Sequence, residues 1–250
     1  MAEIDHRSVL RSVIASCVLT LRFKAMCQVI SKLAALGTTA PRDGGGLFPR
    51  LMLLAALTLA WSGPREASAA GQDSNTAFLE KLSLDPEPGQ MLMVCHGFGC
   101  TYRDPFTLTP GRRADLRRVL GQPRSAREER EAIGRAVAWF DREGGRVAST
   151  VGRIAYASAT TRSGPGQMDC IDLTANVTEL LLVLERNGLI RFHRLGEQVS
   201  RGFIIDGRRP HTTPVVVEIA ASREWAVDSW TKAYGELPDI MTIAEWRSRN

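Results

Sequence analysis

The stretch 170–187, CIDLTANVTELLLVLERN, constrains this chain more than any other. Leu173, Val177, Leu180, Leu181 and Leu184 recur at helical spacing, which predicts an amphipathic helix with a buried stripe. Asp169 can cap its first amides, and Asn187-Gly188 can end it. Its first residue is a cysteine, Cys170. Unpaired amides and the positive end of the helix dipole favour a thiolate there. Asp169 and Asp172 oppose that charge, so the helix start alone is not enough and a nearby imidazolium would help more.

The surroundings predict an α+β domain. Residues 91–108 read as a strand-like run after a polar lead-in that ends in DPEPGQ. SAREEREAIGRAVAWFDREGG reads as a helix, capped by Ser125 with Glu128 three residues on. Its stripe is Ile133, Ala136, Val137 and Phe140, its arginines form a solvated face, and Gly144-Gly145 should stop it. RIAYASATTRSGPGQ is a loop leading to Cys170. LIRFHRL and RGFIID follow as short strands, and HTTPVVVEIAASREWAVDSW as two strands and a turn. Helices followed by a run of strands argue for α+β. The chain has no G-x-G-x-x-G, no Walker loop and no H-E-x-x-H, so no cofactor is implied.

Charge excludes one function class. Residues 1–70 hold eight of the 32 Lys/Arg and four of the 27 Asp/Glu, so most of the +5 net charge sits there. The remainder is close to neutral and offers no footprint for nucleic acid. Within 47–70, Arg50 precedes an apolar run from Leu51 to Trp61 and a small-residue site, Ala67-Ser68-Ala69. That is a signal-peptide pattern, too short to span a membrane, and it predicts export to a periplasmic or extracellular compartment. Residues 1–46 do not fit it. They are read as an artefact of gene calling, with the start near Leu47 or Met52; a membrane-anchoring segment is the competing reading. Residues 71–250 are then the functional domain.

An exported chain can hold disulfides. Of the cysteines past residue 70, Cys95 and Cys100 lie close together in CHGFGC and are expected to pair, leaving Cys170 free. Cys95, His96 and Cys100 are too tightly spaced to match zinc patterns, so no metal is expected. His193 in RFHRL reads as the end of a strand. His211 opens an apolar strand, and Asp228 stands seventeen residues later among Trp225, Val227 and Trp230. A buried acid needs a partner. Cys170, His211 and Asp228 are therefore a candidate nucleophile, base and orienting acid; the alternative is a buried cysteine, a surface histidine and a turn acid.

CIDLTANVTELLLVLERNGLIRFHRL resembles the nucleophile helix of transglutaminase-like cysteine proteases. HTTPVVVEIAASREWAVDS is similar to that family's histidine and aspartate motifs, and EREAIGRAVAWF weakly to the preceding helix. The resemblance spans roughly residues 128–230. It implies a papain-like core, with the nucleophile helix packed on an antiparallel sheet, and a Cys170–His211–Asp228 triad for acyl transfer. The substrate implied is a protein or cell-wall peptide. The Cys170 amide would serve the oxyanion, with Gln167 as a second donor. A catalytically inactive binding domain with the same fold is the alternative. Met168 stands where the family often has glycine, and Thr212-Thr213-Pro214 follow the histidine. If Asp228 faced His211 across a hairpin, the turn would centre near Ile219-Ala220, yet Ser222-Arg223 is the more polar site. Pro214 cannot donate to a ladder and predicts an edge or a bulge.

Overall fold

The computed structural model describes residues 73–158, 161, 164–202 and 210–249. The extension 1–46 and the signal-like segment 47–70 lie outside them, as does most of the strand expected over 201–206. After helical residues 73–81 come β1 (Met91–His96), β2 (Tyr102–Thr107), α1 (Pro110–Leu120), α2 (Ala126–Val147) and α3 (Cys170–Arg186). Then follow β3 (His193–Leu195), β4 (Val199–Arg201), β5 (His211–Thr213), β6 (Val215–Glu218), β7 (Arg223–Asp228), β8 (Asp239–Thr242) and α4 (Ile243–Ser248). The strand pairings are antiparallel, and the class is α+β.

α3 is more deeply buried than an amphipathic helix would be. Every residue from Asp172 to Leu184 is buried. Its polar residues therefore need internal partners, since a buried unpaired polar group costs about 1–3 kcal/mol. Asn176 clamps β1 from the side, accepting from the Cys95 amide at 2.7 Å and donating to the Cys95 carbonyl at 3.0 Å. Glu179 accepts from the Met93 amide at 2.8 Å. Thr174 donates to the Thr212 carbonyl of β5 at 2.9 Å. Thr174, Asn176 and Glu179 thus bind backbone rather than water, and α3 is the axle on which hairpin and sheet are mounted.

α2 begins as expected, with Ser125 accepting from the Glu128 amide. It does not stop at Gly144-Gly145 but runs to Val147. The two glycines are there for close approach. A Cβ at Gly145 would lie 2.4 Å from the Tyr234 ring, and one at Gly144 3.0 Å from Val94. Arg130 also leaves the solvated face. It pairs with Glu218 at 2.8 Å and lies over the Trp225 ring. α1 was not foreseen, although Thr109 caps it and Pro110 opens it.

The main sheet has the order β3-β6-β7-β8, and β5 pairs separately with β4. Only Pro214 separates β5 from β6, so one run of chain serves two sheets. Proline has no N–H to continue the ladder, but its carbonyl still accepts from Val227 at 3.0 Å. Both faces of the main sheet are covered. Val216, Val227 and Leu195 join the core around α3. Val215, Val217 and Ala226 pack with Met241, Ile243 and Trp246 on the other side. That explains why β6 reads as an unbroken valine run rather than an alternating one.

Candidate active site

The β6–β7 register sets where Asp228 falls. Glu218 pairs with Arg223 and Val215 with Ala226, so the connecting turn occupies residues 219–222. Continued, that register would bring Thr213 and not His211 opposite Asp228. The break at Pro214 resolves the mismatch. It turns β5 onto β4, where His211 pairs with Arg201, and swings the imidazole onto the acid. His211 Nε2 meets Asp228 Oδ2 at 2.7 Å, and both side chains are 2 % exposed. The expected bulge is thus a change of sheet.

Asp228 is held as a carboxylate. Burial alone would raise its pKa. The hydrogen bond and charge of His211, the indole N–H of Trp246 and the Trp230 amide together hold it below the ordinary value. Trp246 Nε1 donates to Oδ2 at 2.8 Å and the Trp230 amide to Oδ1 at 3.1 Å. An ionised Asp228 requires a proton on Nε2 of His211 in either state of the ring; when the ring is neutral, Nδ1 is the free base. Nδ1 is buried and has no hydrogen-bond partner among the described residues. The rings of Trp230 and Trp246 lie 4.6 and 5.3 Å from the imidazole. Sequence reasoning missed Trp246, which stands eighteen residues beyond Asp228 on α4. Its signal was an aromatic in a short helix capped by Thr242.

Cys170 is the first residue of α3 and a free thiol. Asp169 caps the helix, accepting from the Ile171 and Asp172 amides at 2.9 Å. The Thr212 amide, adjacent to His211 in the chain, and the thiol's own amide favour the thiolate. The thiol makes no hydrogen bond to Nδ1. Burial pushes its pKa up to about 11; the Asp169 and Asp228 charges add to that, and the two amides oppose it. His211 and Asp228 are thus joined directly, and the helix that Cys170 opens is tied to their strand by the Thr174–Thr212 bond.

The carboxylates flanking the thiol are not free. Gly97, Phe98, Gly99 and Cys100 all have positive φ, a left-handed run that turns successive amides to one side. Those amides face the helix start. Phe98 and Cys100 donate to Asp172 at 2.9 and 2.6 Å, and Gly99 to Asp169 at 3.1 Å. Burial and the neighbouring Asp169 raise the Asp172 pKa, which weakens its opposition to a thiolate. Cys95 and Cys100 are joined as a disulfide that closes this turn.

Gln167, expected as an oxyanion donor, has a different task. Its Oε1 accepts from the Ile154 amide and its Nε2 donates to the Gly152 carbonyl, so it ties down the loop before it. His96 bonds Asp104 at 2.8 Å and accepts from the Gly166 amide. His193 is buried against Glu129, which also accepts from the amides of residues 191, 192 and 193. That second histidine–carboxylate pair fastens α2 to β3, and sequence reasoning missed Glu129 because it sits in a turn of exposed acids. Among the described residues no His/Cys/Asp/Glu cluster could hold a metal ion, and no helix is long and apolar enough to cross a membrane. Comparison with protein-family models, with curated proteins and with solved structures found no match to this chain.

Proposed function

We propose that the protein is an exported thiol-dependent acyl-transfer enzyme with a transglutaminase-like, papain-fold core, acting as a cysteine peptidase or amidase on a protein or cell-wall peptide. The observation that carries this reading is the buried His211–Asp228 pair, its Nδ1 without a hydrogen-bond partner among the described residues, on the strand that Thr174 of the Cys170 helix binds at Thr212. A helix packed against an antiparallel sheet supports the core, and the Cys95–Cys100 bond supports an oxidising compartment.

The chemistry follows from the proton positions. Asp228 keeps the Nε2 proton in place, so Nδ1 receives the thiol proton as the sulfur attacks a substrate carbonyl. The Cys170 amide at the helix start faces the developing oxyanion. Nδ1 then returns the proton to the leaving amine, and the sulfur carries the acyl group. Water releases it by the reverse sequence; an amine in place of water gives transamidation.

A second reading rests on its own observation. The thiol stands at about 11 and lacks a bond to Nδ1, which fits a domain that keeps the fold and binds without catalysis. At pH 7 such a thiol is ionised to about one part in ten thousand, roughly a hundredfold less than a free one. Alkylation by iodoacetamide at neutral pH, followed by intact mass, separates the two. The enzyme reading expects modification at Cys170 faster than a free thiol, slowed at least about tenfold by His211→Asn and abolished by Cys170→Ala. Modification slower than a free thiol and indifferent to His211→Asn supports the binding domain.

A further inference from the structure

The loop before Cys170 is braced along its length yet presents apolar side chains to solvent. Val151, Ile154 and Tyr156 are 53, 36 and 51 % exposed, within six residues. Isolated exposed hydrophobics need no explanation, but several on one braced loop that leads into the Cys170 helix do. The bracing comes from four directions. The Thr150 amide bonds Gly145 of α2. Arg153 forms two bonds to Asp141, each 2.9 Å, and a third to the Lys232 carbonyl. Gln167, three residues before the nucleophile, holds Gly152 and Ile154. Trp230, two residues after the acid, accepts from the Tyr156 amide at 2.8 Å and donates from its indole to Ala157 at 2.9 Å.

The loop therefore bridges the segment carrying the thiol and the segment carrying the acid. Tyr156 has φ +56°, a conformation that an aromatic residue rarely adopts and that persists only when its surroundings impose it. Its ring stands edge-on to Trp230, 5.3 Å away, and the same indole lies 4.6 Å from the His211 ring. Arg153 is the one charged residue in 149–158, and it is buried and paired, so the exposed face of the loop is neutral.

We propose that Ile154 and Tyr156 form a substrate subsite for an aromatic or branched aliphatic side chain of a polypeptide, close to the bond that Cys170 attacks. The inference rests on the acyl-transfer reading and adds the substrate class to it. Continuity with the His211–Trp230 contact assigns the face to substrate, and the absence of exposed charge selects an apolar side chain over an acidic or basic one.

The test uses dipeptidyl acyloxymethyl ketones that differ in one side chain, Phe or Asp, placed next to the reactive ketone or one residue further out. Covalent labelling of Cys170 in the full chain is followed by intact mass. At one of the two positions the Phe reagent should label about tenfold faster or more. Tyr156→Asn, which tolerates the left-handed backbone, and Ile154→Asn should each bring the Phe/Asp ratio to within about twofold, and Tyr156→Phe should keep it. Taking the ratio within each variant cancels any general change in thiol reactivity. No Phe preference in the native chain, or one that survives both Asn variants, overturns the subsite. Accelerated iodoacetamide reaction with no labelling by any ketone also overturns the subsite alone. If iodoacetamide is not accelerated and no ketone labels, the acyl-transfer reading fails and takes the subsite with it.

Discussion

Glu179→Gln should remove a strong pH dependence from the stability of the fold. Glu179 is 1 % exposed in the middle of α3 and accepts one hydrogen bond, from Met93, through Oε2; its Oε1 has no partner among the described residues. Burial pushes its carboxyl up from the ordinary 4.5 to about 8, against the pull of the Met93 amide. A raised folded pKa means that the folded chain holds this proton more tightly than the unfolded chain. The favourable contribution is complete below the unfolded pKa and is lost as pH rises through the folded one. Each pKa unit corresponds to about 1.4 kcal/mol, so the wild type should lose about 4 kcal/mol from this group between pH 4 and pH 8. Glutamine preserves the shape and an acceptor for Met93 but does not titrate. Any fixed penalty for placing its NH2 group is the same at every pH and drops out of the comparison. Urea unfolding of both chains at pH 4, 6 and 8 reads the effect. The stability difference, variant minus wild type, should climb by about 4 kcal/mol across that range, most of it above pH 5. A difference that stays flat would refute the reasoning, because it would mean that Glu179 is ionised and solvated in the folded chain.

Asp228→Asn keeps the shape of the partner of His211 but removes the charge and allows the wrong tautomer; peptide hydrolysis, or Cys170 labelling by a peptidyl ketone, should fall about 10³–10⁴-fold. The same substitution removes a stability contribution that the wild type keeps at neutral pH and loses only as pH falls through the lowered pKa of Asp228, visible in acid titrations followed by circular dichroism. Trp246→Phe removes the indole N–H from a buried carboxylate and should cost about 1–3 kcal/mol in urea unfolding while shifting the Cys170 labelling profile along the pH axis. Gly145→Ala drives a methyl into the Tyr234 ring and should cost about 1–3 kcal/mol in thermal unfolding, with most of the loss recovered when Tyr234→Ala is added.

Local signals in the chain were legible where chemistry is local. The capped α3, the Ser125 start of α2 and the Cys95–Cys100 pair follow from neighbours in sequence. His211 and Asp228 were legible as partners by type, an acid among bulky residues with few bases to choose from, but not by register. What escaped depends on distant chain. Gly144 and Gly145 read as a stop because their reason, the approach of Val94 and Tyr234, lies fifty residues before and ninety after. Pro214 announced a disturbance, but not that the strand would leave one sheet for another. Gln167 looked like a donor to the site because it stands next to it in sequence, whereas its partners belong to the loop at 152–154. The polar residues of α3 looked solvent-facing, and only the arrival of β1 and β5 gives them partners.

The left-handed turn at residues 97–100 makes two distant parts of the chain depend on each other. Cys100 gives its amide to a carboxylate 72 residues further along the chain. Without that carboxylate the amides of Phe98 and Cys100, both in the disfavoured left-handed region, lose their acceptor. The start of α3 supplies the acceptors that the turn's amides need. The Cys95–Cys100 bond and the head of α3 therefore hold the same turn from two sides, one covalent and one by hydrogen bonds.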